Sequence, residues 1–314
     1  MQRINLPLIF LFALIASFRI PESDLEYYLS NFQLAKTVSF FEYILVGARD
    51  PLFNLFTFLL ANFGFAESHY VFFISFLFYF LISLSINHIK VSKKIKTYLF
   101  ISILLNPLIF SLHIHLIRQF LALSIFLYII FKRKKDYFFI VPALTHFSFV
   151  IIYGLSKLFV NIKSMLIILI FVLIIFVNRS FLTDLPFVGY LIRRSTGEFL
   201  DFDTPSIGTL IVGTFSLAIY VLSKKLDNNP FPVFLDKVYS SILLIFFSSF
   251  FFSTELFYRV FPLIVFFLHF FVFRVTLHML NKKSFHFFWG ILSLFLAIIF
   301  VVSIQYGRWE YNFI

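Results

Sequence analysis

The chain contains no cysteine in its 314 residues, which excludes disulfides, thiolate nucleophiles and Cys-ligated metals. Gly and Pro are scarce, at nine and ten, and no flexible linker or internal repeat stands out. The paired broken segments that mark an inverted-repeat transporter are also missing from the two halves. Acids are few: 15 Asp and Glu stand against 26 Lys and Arg, and charged residues make up only 13% of the chain. The resulting +11 charge lies in short loops between apolar runs. Membrane orientation and anionic headgroups account for charge placed there, so no nucleic-acid partner is expected.

What is abundant is apolar surface. Hydrophobic residues are 61% of the chain, Phe alone supplies 53, and the mean hydropathy is +0.97. Apolar runs recur along the whole length, which predicts an all-α, polytopic integral membrane protein built as one domain over residues 1–314. Ile4–Phe18 reads as an uncleaved first span, because no small-x-small site precedes Phe18 and Arg19. An outer loop over 19–50 follows. Leu52–Phe65 is short for a span, and Tyr70–Ile86 is a clear one closed by Lys90, Lys93, Lys94 and Lys96. Tyr98–Leu112 carries a kink at Asn106 and Pro107, and Arg118–Phe131 returns to Lys132–Lys135. Placing both Lys clusters inside puts His113–Gln119 outside and makes Leu52–Phe65 a re-entrant or interfacial helix.

Residues 137–159 read either as a broken hairpin with Pro142 to His146 near its tip or as one span. Met165–Val177 exits to an outer loop over 178–206. Ile207–Ser223, Val238–Ser253, Phe261–His278 and Phe285–Ile304 complete about ten crossings, with one or two re-entrant outer-face segments.

With this topology, 14 of the 15 lysines fall inside, while eight of the 11 arginines fall outside: Arg19, Arg49, Arg118, Arg179, Arg193, Arg194, Arg259 and Arg308. Orientation alone gives no reason to prefer Arg there. The planar guanidinium fork suits phosphate oxygens, which points to an outward-facing site for a phosphorylated substrate. The alternative is pairing with the twelve acids of the outer side. Arg118, at the edge of a span, is either a snorkelling anchor or functional. His146 within an apolar segment is either a satisfied structural histidine or a site residue. His113 and His115, at i and i+2, allow a metal site but lack a third ligand, and Asp201 and Asp203 read either as a metal-nucleotide DxD pair or as solvated charge; no metal or cofactor is expected. Tyr27, Tyr28 and Tyr258 are sugar-stacking candidates set against an aromatic belt.

Arg19, Asp24 and Tyr27 form an R-x4-D-x2-Y pattern that resembles the signature of the EpsG/Wzy-like polysaccharide polymerases. Asp50-Pro51-Leu52-Phe53 is similar to their E-P-x-F helix. Arg118-Gln119 with Ala122, followed by a basic turn and His146-Phe147-Ser148, resembles their R-Q-x-x-A … F-H-x-S-A block. The likeness covers roughly 19–160. It departs at Ser23 (usually Gly), at Asp50 (usually Glu) and at Phe149 (usually small).

The resemblance implies an O-antigen or exopolysaccharide polymerase in the bacterial inner membrane. Its substrates would be undecaprenyl-pyrophosphate-linked glycans at the outer, periplasmic face, and its partners membrane lipid, a flippase and a chain-length regulator. In such a reaction a sugar hydroxyl attacks an anomeric carbon and polyprenyl pyrophosphate leaves. The growing charge calls for a clamp, expected from Arg118 with Arg193, Arg194, Arg259 and Arg19. The hydroxyl calls for a base, expected to be His146 or else Asp24.

Overall fold

The computed structural model describes residues 5–21, 24–46, 50–158, 207–226, 229–252 and 254–305, with isolated positions at 167 and 170. All regular structure among them is helical. The expected span over Met165–Val177, the loop over 178–206 with Arg179, Arg193, Arg194, Asp201 and Asp203, and Arg49 and Arg308 lie outside the described residues. So does the side chain of Tyr258. Chain contacts divide the protein into two compact units, one of residues 1–151, 230–232 and 280–314, the other of 152–229 and 233–279.

The first unit opens with α1 (Leu6–Ser17). The stretch read from sequence as an outer loop is in fact largely helical, in α2 (Asp24–Leu34) and α3 (Phe40–Val46). The reason is visible in the side chains. Leu25, Tyr28, Leu29 and Phe32 repeat at i, i+3, i+4 and i+7 and are all buried. Asp24 and Glu26 sit in the first turn, where acids complement the helix dipole. α3 begins with a capping box: Ser39 N–H donates to Glu42 Oε2 at 2.9 Å, and Glu42 N–H donates to Ser39 Oγ at 3.4 Å. The Ser39 hydroxyl and N–H hold the exposed Glu42 carboxyl below its usual range.

α4 (Pro51–Asn62) is the short helix expected near Leu52–Phe65, and it stops at Gly64, whose φ of 78° suits only glycine without strain. α5 (Glu67–Asn87) is a full-length span and packs chiefly on α1 and on α8 (Ile117–Phe131). Between them, α6 (Lys93–Leu104) and α7 (Pro107–His115) meet at a 60° bend. Pro107 cannot continue the ladder, and Asn106 caps the new helix by accepting from Leu108 and Ile109 N–H at 2.9 and 3.1 Å. The kink anticipated at these two residues is therefore real.

α8 ends in a two-bond C-terminal stop: Lys134 N–H reaches Ile129 O, and Arg133 N–H reaches Ile130 O. Arg133 takes the left-handed position with φ 51°. A 3-10 turn (Asp136–Phe139) and α9 (Ile140–Thr145) lead back along α8. Pro142 lies in the first turn of α9 and does not break it, because the N–H it lacks would be an orphan there. The break falls instead at His146 and Phe147, before α10 (Ser148–Leu158). Whether 137–159 forms a hairpin or one span turns on residues beyond Leu158, which lie outside the described ones. α14 (Lys282–Gln305) covers α6 and α7, with Phe300 against Phe12 and Phe110.

The second unit contains α11 (Ile207–Lys224), α12 (Val233–Phe252) and α13 (Thr254–Met279), with α11 and α12 both packed on α13. Gly213 permits close approach: a Cβ there would collide with the Phe246 ring. The helices are stitched by an ion cluster on buried Asp236. Lys224 reaches its Oδ2 at 2.8 Å, and Arg274 reaches Oδ1 at 3.2 Å and donates to Leu226 O at the same distance.

By length and composition, three helices among the described residues can cross a bilayer alone: Glu67–Asn87, Arg259–Met279 and Lys282–Ile304. The bent α6–α7 pair makes a fourth if it counts as one span. The shorter apolar helices, of 10–17 residues, rise roughly 15–26 Å against a hydrocarbon core of about 30 Å. Among the described residues, the expected ten crossings are thus not matched by ten helices of spanning length.

Candidate functional site

The site is organised by an aspartate that does not do what its position suggests. Asp50 occupies the N-cap of α4 with Pro51 behind it, where a carboxylate ordinarily folds back onto its own helix. Here φ −133° and ψ 65° turn it away, and it makes no cap bond. Its Oδ2 accepts from Arg118 Nη1 at 2.5 Å and its Oδ1 from Phe147 N–H at 3.1 Å. Asp50 is 4% exposed, so this carboxylate is satisfied almost wholly by protein.

Arg118 stands in the first turn of α8, and its side chain is about a quarter exposed. Its Nε donates to Tyr28 OH at 3.3 Å, and the guanidinium lies 5.0 Å from the Tyr28 ring centroid. Nη2 makes no hydrogen bond to any described residue. One arm of the fork is therefore spoken for, and the other can meet an anion.

His146 caps the end of α9 in an extended conformation, with φ −155° and ψ 118°. It reaches the level of Arg118 because the return path matches the outward one. α8 rises roughly 22 Å over 15 residues, and the ten residues of 136–145 with the extended pair after them cover a similar distance. The Ser148 N–H and hydroxyl stand 3.2 and 3.0 Å from His146 Nδ1. A backbone N–H can only donate, so Nδ1 accepts and the proton of the neutral ring is on Nε2.

Of the tyrosines, Tyr28 is buried under Arg118 while Tyr27 is 58% exposed, its ring 5.9 Å from that of Tyr28. Asp24 opens α2 one turn before Tyr28, on the same helix face, and is half-buried. Nearby, burial and then the charge of Tyr27 push the Tyr43 phenol up to about 12, so no tyrosinate is at hand there as a base near neutral pH.

The structure does not gather every residue expected at the site. Arg19, 7% exposed, binds the end of α7 instead: its Nη1 donates to Ser111 O and Oγ at 3.4 and 3.0 Å, and Nη2 meets His115 Nε2 at 2.6 Å. A cation suits that helix terminus. Arg259 is exposed near the start of α13 and belongs to the second unit, so its place relative to Arg118 is not part of this site's geometry. His113 is a core residue, held by Tyr79 OH at 3.3 Å and Ser75 Oγ at 3.2 Å and stacked on Phe78. Among the described residues no group of three His, Asp or Glu is gathered as for a metal ion.

A family model described as the EpsG family matches residues 4–313. The chain belongs to the EpsG family. EpsG is a family of Wzy-like polysaccharide polymerases, so this is a multi-pass membrane enzyme of the polysaccharide polymerase type, glycosyltransferase-like in its chemistry. The match takes in the C-terminal half, which the motif resemblance over 19–160 did not reach. No curated protein and no solved structure matches the chain. Within this EpsG protein, three stretches that carry the motif resemblance, Asp50-Pro51, Arg118-Gln119 and His146-Phe147-Ser148, converge on one carboxylate. Asp50 was legible only as part of a helix motif. Its pairing with Arg118 had no sequence signal, since an acid immediately before a helix-starting proline argues for capping.

Proposed function

We propose that this EpsG protein polymerises undecaprenyl-pyrophosphate-linked oligosaccharide repeat units at the outer face of the bacterial inner membrane. The bond that forms joins an acceptor sugar oxygen to the anomeric carbon of the donor. The bond that breaks joins that carbon to a pyrophosphate oxygen, and the acceptor hydroxyl loses its proton. The observation that carries this reading is the half-engaged Arg118, with Nη2 available beside a histidine that breaks a helix at the same level.

Arg118 Nη2 donates to a pyrophosphate oxygen as its charge grows, and Tyr28 beneath the guanidinium holds it in orientation. His146, with its proton on Nε2, is a second donor to the departing group. Its Ser148 contacts favour that role over the base, because the Nδ1 lone pair is already occupied. Asp50 has both oxygens engaged, which leaves Asp24 as the carboxylate of this face to take the hydroxyl proton. Tyr27 offers an exposed ring for a sugar. Arg193, Arg194, Arg259 and Tyr258 are further contributors to be judged by lysine and neutral variants. A flippase supplying repeat units and a chain-length regulator are the partners this reaction calls for.

Purified protein given single lipid-linked repeat units should make a ladder of lipid-linked oligomers. Movement of units across vesicles without a ladder would make the protein a transporter, and transfer only to a different lipid core would make it a ligase.

A further inference from the structure

We infer that Asp50 is a positioning residue, which fixes the Arg118 guanidinium and the His146–Phe147 break in one arrangement. This rests on the polymerase reading for its catalytic meaning but on geometry alone for its mechanical meaning.

Three elements far apart in sequence meet on one carboxylate: α4, to which Asp50 belongs, α8 through Arg118, and the break between α9 and α10 through Phe147 N–H. Each bond has a reason to be there. At the end of α9 the chain leaves the helix, so Phe147 N–H has lost its helical acceptor and finds another in Asp50. Arg118, at a span's edge, needs a counter-charge. Asp50 serves both with a different oxygen, and gives up capping α4 to do so.

Two consequences distinguish positioning from mere stability. Asp50 takes one Nη1 N–H and Tyr28 the Nε N–H, so the guanidinium is held on that edge and a ligand meets it from the Nη2 side. The bond to Phe147 N–H is also made one residue from His146, so displacement of Asp50 moves the histidine and the arginine relative to each other. Small misplacements of that kind act on the rate of the chemical step more than on binding.

The test uses the full-length protein, whose lack of cysteine lets one introduced thiol report on the break. Phe147→Cys places that thiol on a side chain that is 59% exposed. Combining it with Asp50→Ala should raise its modification rate by a water-soluble maleimide about threefold or more, since the break loses its tether. In the oligomer assay, Asp50→Asn should lower kcat about tenfold with little change in KM, and its loss should combine with that of Arg118→Lys to less than the full sum in free energy. Asp50→Glu, which keeps both acceptors, should recover part of the loss, and Asp50→Leu, near in size but without an acceptor, takes the place of Asp50→Ala in the labelling arm should that variant not fold.

An unchanged labelling rate overturns the inference. So does an Asp50→Asn loss that adds in full to that of Arg118→Lys. If the wild type makes no polymer at all, the polymerase reading fails while the labelling arm still decides the positioning.

Discussion

Asp50 and Arg118, 68 residues apart in the chain, stand 2.5 Å apart in the structure with the aspartate buried and the arginine partly open. An exposed pair would contribute little, but this one leaves a defined nitrogen of the guanidinium for substrate. Arg118→Lys keeps the charge and loses the fork. It should reduce oligomer formation per folded protein by about tenfold, and Arg118→Ala by about 10²–10³-fold. Full activity in Arg118→Lys would end its role as a phosphate clamp.

The two roles open to His146 are separable by substitution. Gln places an N–H donor near where Nε2–H stands and cannot act as a base. If the histidine donates to the leaving group, His146→Gln should retain activity within about tenfold of wild type while His146→Ala loses about a hundredfold. If both variants are equally dead, the donor role is wrong and the base role returns. Ser148→Ala leaves the backbone N–H on Nδ1 and should cost less than either.

Much of the architecture could be read from hydropathy and punctuation. The helices at Tyr70–Ile86, Phe261–His278 and Phe285–Ile304 appear where the apolar runs place them, because predominantly apolar stretches of that length leave little choice. The Asn106–Pro107 kink was legible for a similar reason, since both residues act locally. The helices of 24–46 were hidden by polarity: the loop reading followed the polar residues of the stretch and overlooked the apolar stripe beneath them. At the site, Arg118 and His146 were visible as ionisable groups in apolar settings. Their connection was not, because it runs through a carboxylate whose local position argues for capping. Arg19 looked like the companion of Arg118 by charge and side of the membrane, and its partners Ser111 and His115 emerge only from the bend of α7.

The kink itself offers a test of stability without chemistry. Asn106→Ala removes the acceptor of two N–H groups and should destabilise the protein by about 1 kcal/mol. A lower melting temperature in detergent with unchanged kcat at low temperature is the expected result.

The Asp236 cluster should behave in the opposite way to an exposed pair. Asp236→Ala leaves Arg274 buried with a lost counter-charge and should cost about 3–5 kcal/mol, seen as poor yield of folded protein. Replacing Asp236 and Arg274 together by Leu and Met should recover much of that yield. If the single variant folds as well as wild type, the cluster holds nothing together.

Orientation in the membrane is measurable with single thiols. Tyr27→Cys should react with an impermeant maleimide in intact cells, whereas Lys134→Cys should react only after permeabilisation. The reverse pattern would invert the topology and move the Arg118 site to the cytoplasm.

The stop at the end of α8 has a meaning beyond its own hydrogen bonds. Arg133 occupies a left-handed position where glycine would relieve a strain of about 1 kcal/mol, yet it keeps a side chain and a charge there between Lys132 and Lys134. A helix end shaped only for the finished protein would use glycine. Charge in such turns acts while the chain is being inserted, before any helix has its neighbours. The turn at Arg133 thus keeps a third positive charge between two lysines, at a cost in stability that glycine would not carry.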